Sequence, residues 1–417
     1  MTTSTGGATG QSSGAAARAE ALDHDDPLAA YRDRFVGASS SLTYFDGNSL
    51  GRPLAVTADR MGVFVEHEWG GRLIRGWDEQ WMELPLVVGD ELGLVCLGAA
   101  PGQVVVADST TVVLYKLLRA AVAARPDRPE IVLDTDNFPT DRYVAEAVAR
   151  ECGLHLRWVE TDPALGLTLE QAASVVGPRT AVVLASHVAY RSAYVADVPG
   201  ITALAHEAGA LVLWDLSHSV GSVPVELDAW DVDLAVGCTY KYLNGGPGSP
   251  AFGYVAQRHL TELDQPVSGW MGHADPFAMG PGHTPDPGVR RLLSGTPPVL
   301  AMQPMRDMLA LVAAVGMPAV RAKSVGLTSY AIELADELLL PLGVTLASPR
   351  DAAQRGGHVT LVHPRMREVV AALWKRDVIP DYRDPGGLRI GLSPLSTSYD
   401  EVRRGLEEVA ALLRPGP

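Results

Sequence analysis

Short apolar runs alternate with helical segments between about residues 104 and 255. The runs carry almost no polar side chains, which is typical of strands buried on both faces of a parallel sheet. The strand candidates are VVVA (104–107), IVLD (131–134), AVVLAS (181–186), LVLWD (211–215) and LAVG (234–237). The helical segments between them include residues 111–124, 142–151 and 201–208, the last followed by Gly209 as a C-cap. This alternation predicts an α/β fold with a mainly parallel sheet.

The two ends of the chain have different patterns. Residues 1–24 are small and polar, rich in Gly, Ser, Thr and Ala, and are expected to form a disordered tail. After Pro297 and Pro298 come longer helical patterns, the strands HVTLVHP and LRIGLS, and a helix at about residues 399–413. We therefore expect a large domain at 25–298, whose first ~50 residues pack on the small domain, and a smaller α+β domain at 299–417.

Composition narrows the class of protein. The 417 residues are 47% hydrophobic and 20% charged, with a formal net charge of -15, which disfavours nucleic acid and anionic membrane surfaces as partners. Cys96, Cys152 and Cys238 are odd in number and far apart, so neither a disulfide framework nor a metal site is indicated. The chain also lacks a secretion-type start, and we expect a soluble protein of the cytoplasm.

Polar residues directly follow several strand candidates, where ligands of such sheets bind. After VVVA comes Asp108-Ser109-Thr110-Thr111, which opens a helix and offers an anion seat, or simply an N-cap. After IVLD, Phe138 could stack on a flat heterocycle or belong to the core. LVLWD ends at Asp215, and His218 follows. This carboxylate could pair with a pyridinium nitrogen, or the two residues could be a cap and a core histidine.

Lys241 is set apart by scarcity. The chain has four lysines and thirty arginines. Lys116, Lys323 and Lys375 lie in amphipathic helical patterns and are expected to be solvated charges, whereas Lys241 follows a strand and runs into a glycine-rich turn. Only a primary amine forms an imine. An anion seat, an aromatic residue, a strand-end aspartate and then this lysine together predict an enzyme that holds pyridoxal phosphate (PLP) as a Schiff base on Lys241.

Nine segments of the chain resemble the kynureninases, and the resemblance covers nearly the whole chain from about Tyr44 to Tyr399. They are YFDGNSLGRPL (44–54), DSTTVVLYK (108–116), NFPTDRY (137–143), SHVAYRS (186–192), WDLSHSVGSVPVEL (214–227), CTYKYLNGGPGSPAF (238–252), GWMGH (269–273), SGTPP (294–298) and LRIGLSPL (388–395). The resemblance implies the aspartate aminotransferase fold (fold type I), with a large PLP-binding α/β domain and a smaller α+β C-terminal domain.

The resemblance also implies roles for individual residues. Lys241 would bind the cofactor, Asp215 would pair with the ring nitrogen, and Phe138 would stack on the ring. Arg389 would grip the substrate carboxylate, where a planar guanidinium is chemically apt, and Ser49 would touch substrate or serve the turn. The other residues near the cofactor would be Ser186, His218, Pro139, Thr140 and Asp141, the phosphate ligands Thr110, Thr111 and Tyr240, and Trp270 and Thr296 from the neighbouring subunit of a homodimer.

The implied reaction is hydrolysis of the Cβ–Cγ bond of L-kynurenine, 3-hydroxy-L-kynurenine or both, in tryptophan degradation. The products are the corresponding anthranilate and L-alanine. Lys241 would move the α-proton, and Tyr240 would transfer a proton to the γ-carbonyl oxygen.

Other readings of the same residues stay open. A related PLP enzyme could act on a substituted kynurenine in secondary metabolism, or on cysteine as a desulfurase, although none of the three cysteines is an obvious mobile nucleophile. A non-catalytic binding protein is disfavoured by the intact Asp215, Lys241 and Arg389. A Ser-His-Asp hydrolase built on Ser217 or Ser219 is disfavoured because neighbours on one loop rarely form a triad.

Overall fold

The large sheet carries most of the strands. The computed structural model describes the backbone of residues 7–414 and the side chains of residues 14–414. The strands are β1 (Thr43–Tyr44), β2 (Val104–Ala107), β3 (Glu130–Asp134), β4 (His155–Val159), β5 (Thr180–Ser186), β6 (Leu211–Asp215), β7 (Leu234–Cys238), β8 (Ala251–Val255), β9 (Thr345–Leu346), β10 (His358–Val362), β11 (Val378–Ile379), β12 (Asp381–Arg383) and β13 (Gly387–Gly391). The large sheet has the order β2-β8-β7-β6-β5-β3-β4, and the small-domain sheet has the order β12-β13-β10-β9.

Helices cover both sheets. They are α1 (Gly7–His24), α2 (Ala55–Val63), α3 (Gly70–Arg72), α4 (Leu84–Leu92), α5 (Thr110–Ala123), α6 (Pro139–Cys152), α7 (Leu169–Ala173), α8 (Val198–Glu207), α9 (Val299–Val315), α10 (Met317–Leu338), α11 (Met366–Trp374) and α12 (Tyr399–Leu413). π-helical stretches at Phe64–Trp69, Trp77–Trp81 and Gly93–Leu97 adjoin these helices. Within residues 7–414 no single helix is long and apolar enough to cross a membrane, and one pair, α9 with α10, meets that test only when its 93° bend is ignored.

The predicted α/β class is confirmed, and each strand candidate is a strand of the large sheet. Strands β3 to β7 are parallel to one another. Two strands of this sheet were missed. β4 lies at the sheet edge and is largely solvent-exposed, so it gives no apolar run, and β8 runs antiparallel between β2 and β7. β2 therefore does not pair directly with a parallel strand, but it points in the same direction as β7.

Apolar side chains form separate cores on the two faces of the large sheet. One face packs against α4, α8 and α9, and the other against α5 and α6. A third core lies between the small-domain sheet and α1, α10, α11 and α12. The expected boundary at residue 299 is therefore misplaced. Helix α9 carries Met302, Met305 and Leu309 into the large-domain core, while the third core takes up the chain from Leu327.

The N-terminal segment is ordered against the small domain. Residues 7–24, which we expected to be disordered, form α1, and residues 1–6 of that predicted tail lie outside the described residues. Ala15 and Ala19 are buried in the third core. Both carboxylate oxygens of Asp23 accept hydrogen bonds from the backbone N–H groups of Tyr399 and Asp400, at 2.8 and 3.0 Å. The alanines that lowered the apparent hydrophobicity of the segment let this helix approach α12 closely.

Lys323 is also placed differently from the prediction. Its side chain is 3% exposed, and Nζ donates to the carboxylate of Asp26 at 2.6 Å. The ammonium also lies 3.8 Å from the ring centroid of Tyr399. The ion pair therefore links Asp26 to α10 in a buried region, where water does not screen the attraction between the two charges.

We predict that Asp26→Ala lowers the free energy of unfolding by about 3 kcal/mol, because it leaves a buried ammonium without its carboxylate. Urea denaturation measures this change. The neighbouring exposed residue provides a matched control: Asp25→Ala should change the free energy by less than about 0.5 kcal/mol. Equal effects of the two substitutions would show that the ion pair does not stabilise the fold.

Candidate active site

The carboxyl ends of adjacent parallel strands bring the predicted site residues together. Ser186 ends β5 and pairs in register with Asp215, which ends β6. Asp215 pairs in turn with Val236 of β7, three residues before the loop that begins at Thr239. Since β2 points in the same direction as β7, the turn at Asp108 lies at this same edge of the sheet. The sequence-based argument from strand ends therefore matches the observed topology.

Lys241 lies at the centre of this edge. Its side chain is buried, at 8% exposure, and Nζ lies 3.0 Å from Nε2 of His218. The loop at Gly51 closes over the lysine segment, because the Gly51 N–H donates to the carbonyl of Tyr240 at 2.9 Å. A Cβ at Gly51 would lie only 2.4 Å from the backbone oxygen of Lys241. A glycine is therefore required where this loop meets the lysine.

His218 is held as a neutral imidazole. Burial is the main cause that lowers its pKa well below the ordinary value, and the positive charges of Lys241 and Arg389 lower it further. A neutral Nε2 accepts a hydrogen bond from the lysine ammonium. Nδ1 is buried and has no partner among the described side chains. Burial and the two neighbouring positive charges thus disfavour protonation of His218.

Phe138 provides an aromatic face beside the amine. Its ring centroid lies 5.8 Å from Nζ of Lys241. The preceding residue, Asn137, is buried, and its side-chain oxygen accepts from the Phe138 N–H and from the hydroxyl of Ser186, both at 2.7 Å. Asn137 was missed by the sequence analysis, although it stands in the NFPTD segment. It joins the ends of β3 and β5 and so fixes the aromatic ring.

Buried carboxyl groups cluster near the strand ends. Burial first, and then the charges of Asp215 and Asp134, raise the pKa of Asp141 well above its ordinary value. Burial also raises the pKa of Asp134 to about 7. Asp141 stands in the first turn of α6 after Pro139 and Thr140, and its surroundings thus disfavour the charged form of its carboxyl group. Asp215 additionally accepts from the backbone N–H of Ser217 at 2.8 Å.

The N-terminus of α5 is an open anion seat. Thr110 and Thr111 begin the helix, and the N-cap residue Ser109 makes no side-chain capping hydrogen bond. The first N–H groups of a helix carry a partial positive charge and are left without intrahelical acceptors. The side chain of Ser109 thus leaves these N–H groups uncapped, which does not support the simple N-cap reading of this segment.

Lys116, on the same helix, is not a solvated charge as expected. It is fully buried, and Nζ donates to the Asp108 carboxylate and to the carbonyl of Leu292, each at 2.6 Å. The sequence could not predict this, because the acceptors come from a turn with a left-handed residue and from a distant segment. Lys375 is exposed, as predicted.

The guanidinium of Arg389 keeps one buried N–H without a partner among the described residues. The side chain is 1% exposed; NH1 donates to the carbonyl of Tyr190 at 2.7 Å, and NH2 donates to the hydroxyl of Ser49 at 2.8 Å. NH2 also pairs with the carboxylate of Asp381 at 2.7 Å. The Nε–H is buried without a partner among the described residues. This edge is available to an anionic group.

Tyr190 and Asp381 were missed, for different reasons. The Tyr190 ring packs edge-on against Phe138, with centroids 5.4 Å apart, so it links the aromatic face to Arg389. It stands in the SHVAYRS segment, and that motif was the available signal. Asp381 lies on the edge strand β12 and reaches Arg389 only through the antiparallel register with β13. No sequence pattern predicted the contact between Asp381 and Arg389.

Tyr240 stays protonated near the lysine. Burial is the main cause that raises its pKa, followed by the neighbouring Cys238 thiol. Burial also raises the pKa of Cys96 to about 12 and that of Cys238 above its ordinary value. Neither buried cysteine is therefore an activated thiolate, which disfavours desulfurase chemistry of the kind that needs a mobile nucleophilic cysteine.

Trp270 and Thr296 lie on the surface of their own chain. Trp270 is 41% exposed and packs against Phe277, with ring centroids 6.2 Å apart. Thr296 is exposed and lines a cavity of about 240 Å³ together with Trp69, Trp77 and other apolar residues. These two predicted site residues thus stand apart from the cluster that the single chain assembles.

The donor set of the cluster fits PLP. Lys241 offers an amine, Asp215 a carboxylate for a pyridinium nitrogen, Phe138 an aromatic face, and the start of α5 an anion seat. Two residues of this cluster also carry buried polar atoms without a partner among the described residues, His218 Nδ1 and Asp141 Oδ2. Both observations indicate that the site is built around a polar aromatic molecule.

Solved structures with the same architecture bear out the fold. The chain matches the cysteine desulfurase of Thermococcus onnurineus NA1 with a TM-score of 0.76 and 18% identity, covering 94% of this chain and 98% of that one. It matches a variant of C-DES, solved with glycine covalently linked to its PLP cofactor, with a TM-score of 0.78 and 18% identity, covering 91% and 98%. These matches confirm the predicted fold type I architecture.

Relatives found by sequence identify the family more narrowly than the structural matches do. Residues 320–409 match the model of the kynureninase C-terminal domain. The kynureninase of Pseudomonas fluorescens is 42% identical over 401 residues, which cover 94% of each chain. That of Burkholderia pseudomallei strain K96243 is 42% identical over 400 residues, again 94% of each chain. With this identity over almost its full length, and with the strand-end cluster that the nine motifs predicted, the chain belongs to the kynureninase family.

Proposed function

We propose that this protein is a PLP-dependent kynureninase, which hydrolyses the Cβ–Cγ bond of kynurenine to anthranilate and alanine. The observation that carries the proposal is the buried pair of Lys241 and His218, beside Phe138 and Asp215, at the carboxyl ends of the parallel strands. The family membership supports the same reaction.

The cluster assigns a holder to each part of the cofactor. Lys241 would hold its carbonyl carbon, Asp215 its ring nitrogen, and Thr110 and Thr111 its phosphate, and Phe138 would lie against the ring. When bound, PLP withdraws electrons from the α- and β-carbons of an amino acid. The backbone N–H of Ser217 supports this role, because its hydrogen bond to Asp215 helps to orient the carboxylate.

Arg389 holds the substrate carboxylate. Asp381, Ser49 and the Tyr190 carbonyl fix the guanidinium from one side, which leaves the buried Nε–H edge for the incoming anion. A carboxylate that accepts from this edge replaces the missing partner of Nε. This arrangement orients the amino acid with its α-carbon towards Lys241.

Two residues move protons. Lys241, as a free amine, would take the α-proton of the substrate as a general base. Its neighbour His218 stays neutral through burial and so does not compete for that proton. Tyr240, whose pKa is raised by burial, remains a phenol and donates to the γ-carbonyl oxygen while water adds to the γ-carbon. The attacking water returns a proton to Tyr240, and a hydroxyl proton of the resulting diol passes to the β-carbon as the Cβ–Cγ bond breaks. Lys241 returns its proton to the α-carbon, so that anthranilate and alanine are released.

The candidate substrates differ only in the substituents on their aromatic ring. Kynurenine and 3-hydroxykynurenine both satisfy the contacts that Arg389, Lys241 and Tyr240 provide, as does a substituted kynurenine of secondary metabolism. A comparison of kcat/KM for these substrates, with product fluorescence as the readout, ranks them. A protein that cleaves only the substituted compound would belong to the biosynthetic alternative.

We further propose a homodimer with shared active sites, located in the cytoplasm. Exposed apolar side chains flank the Thr296 cavity and the Trp270 segment, among them Trp69, Leu73, Ile74, Phe277 and Met279, each more than half exposed. Surfaces of this kind mark protein contacts. A second copy of the chain would cover them and bring Trp270 and Thr296 into the neighbouring site. The cysteines are all free, which agrees with a reducing compartment.

We predict that Lys241→Ala abolishes the yellow absorbance of the lysine-bound cofactor and lowers kcat for kynurenine by about 10³-fold or more, because it removes both the anchor and the base. Absorbance spectra and anthranilate fluorescence measure the two effects. Lys375→Ala, at an exposed lysine, is the control and should change neither. A colourless wild-type protein in the presence of excess PLP would refute the proposed function.

We predict that Arg389→Ala raises KM for kynurenine by about 10- to 100-fold, which corresponds to the loss of charged hydrogen bonds to the carboxylate. Steady-state kinetics measure KM and kcat separately. Arg367→Ala, at an exposed arginine, serves as the control. An unchanged KM in the Arg389 variant would remove this residue from the substrate site.

We predict that hybrid dimers of a Lys241→Ala chain and a Trp270→Ala chain recover about half the wild-type activity, because one of their two sites then has both native residues. Co-expression with two affinity tags isolates the hybrids, and light scattering gives their mass. Each homodimeric variant, at the same concentration, is the control. Hybrids as inactive as both parents would place Trp270 in its own chain's site, and a monomeric mass would refute the dimer.

A further inference from the structure

Lys116 is a second buried lysine close to the proposed cofactor site. It is 0% exposed and lies on α5, the helix whose first turn carries Thr110 and Thr111. Its ammonium has three acceptors: the carboxylate of Asp108 and the carbonyl of Leu292, each at 2.6 Å, and the hydroxyl of Ser294. An ammonium group has three N–H donors. The charge is therefore fully satisfied without water.

Asp108 brings a negative charge to the anion seat. It stands two residues before Thr110 in a left-handed conformation, with φ of 48°, and its backbone oxygen accepts from the Ala251 N–H at 2.9 Å. Its side chain is 27% exposed. An unpaired carboxylate at this position would repel a phosphate dianion at the start of α5, and protein of low dielectric constant around it would screen the repulsion weakly.

Lys116 cancels that repulsion and also fixes the turn. The ammonium neutralises Asp108 from the protein side, while its contacts with Leu292 and Ser294 fasten the turn to the segment that precedes Thr296. Ser294 adds a weaker hydrogen bond to the same carboxylate at 3.4 Å. The local charge next to the helix N-terminus is thus zero instead of negative.

We propose that Lys116 is a positioning residue for the cofactor phosphate, acting through Asp108. The inference rests on the proposed function, in which the start of α5 receives the phosphate of PLP. Lys116 would thus support phosphate binding, although it neither binds the cofactor covalently nor contacts solvent. Its effect is specific for the phosphate, since the paired charges lie beside the anion seat and not beside the lysine amine at residue 241.

Pyridoxal, which lacks the phosphate, separates this role from general support of the fold. Full-length protein freed of cofactor is titrated with PLP and with pyridoxal, and the absorbance of the lysine-bound form gives the Kd of each. Lys116→Met should raise Kd for PLP by about tenfold or more, because Asp108 is left unpaired near the phosphate. The Kd for pyridoxal should stay within about twofold of the wild-type value.

The double variant Asp108→Asn/Lys116→Met supplies the matched control. It removes both charges, so its Kd for PLP should return to within about threefold of wild type, as expected for coupled charges. The single variant Asp108→Asn leaves the ammonium in place and should not weaken PLP relative to pyridoxal. This variant and the double variant keep the test decisive if Lys116→Met does not fold. Lys375→Met should bind both ligands as wild type does.

Three results would overturn the inference: equal losses for PLP and pyridoxal in Lys116→Met, no loss for either, or a double variant that binds PLP as poorly as the single one. A preference for PLP that falls in Asp108→Asn would overturn it as well. A wild-type protein that binds neither ligand would instead refute the proposed function, and the inference with it. The two failures are therefore distinguishable.

Discussion

The contact between the Lys241 ammonium and the neutral His218 imidazole, at 3.0 Å inside the protein, is the interaction around which the site is arranged. A buried amine is expensive unless it is paired. Here an imidazole acceptor, a nearby aromatic face and acidic groups at the strand ends offset the free-energy cost of burying the amine. The register of the parallel strands places Ser186, Asp215 and Val236 side by side at this edge.

Charge is balanced across the whole site through buried pairs. Asp381 and Ser49 hold Arg389, burial beside Asp215 raises the pKa of Asp141, and Lys116 neutralises Asp108 beside the anion seat. The Nε–H of Arg389 is left without a partner among the described residues. This is the pattern expected of a preorganised enzyme site, in which dipoles and charges are fixed before substrate arrives. The small domain contributes Arg389, and the fold joins it to the large domain through the loop at Ser49 and the Tyr190 carbonyl.

The sequence predicted the parts that depend on local pattern. The apolar runs predicted the buried strands, and the positions just after these strands pointed to Asp215, Phe138 and Lys241. Edge strands were harder. β4 is exposed and lacks an apolar run, and β12 carries Asp381 to Arg389 only through its register with β13. Lys116 and Lys323 looked solvated because their acceptors, Asp108 and Asp26, are supplied by tertiary structure. The helix α1 was missed for a similar reason, since its alanines gain stability only by packing against the small domain.

The central claim is that Lys241 alone among the four lysines binds the cofactor. Reduction of the PLP-loaded protein with borohydride makes that bond permanent, and peptide mass spectrometry then locates the label. The account predicts one pyridoxyl group per chain, on the peptide that contains Lys241. A label on Lys116, Lys323 or Lys375, or no label at all, would contradict it.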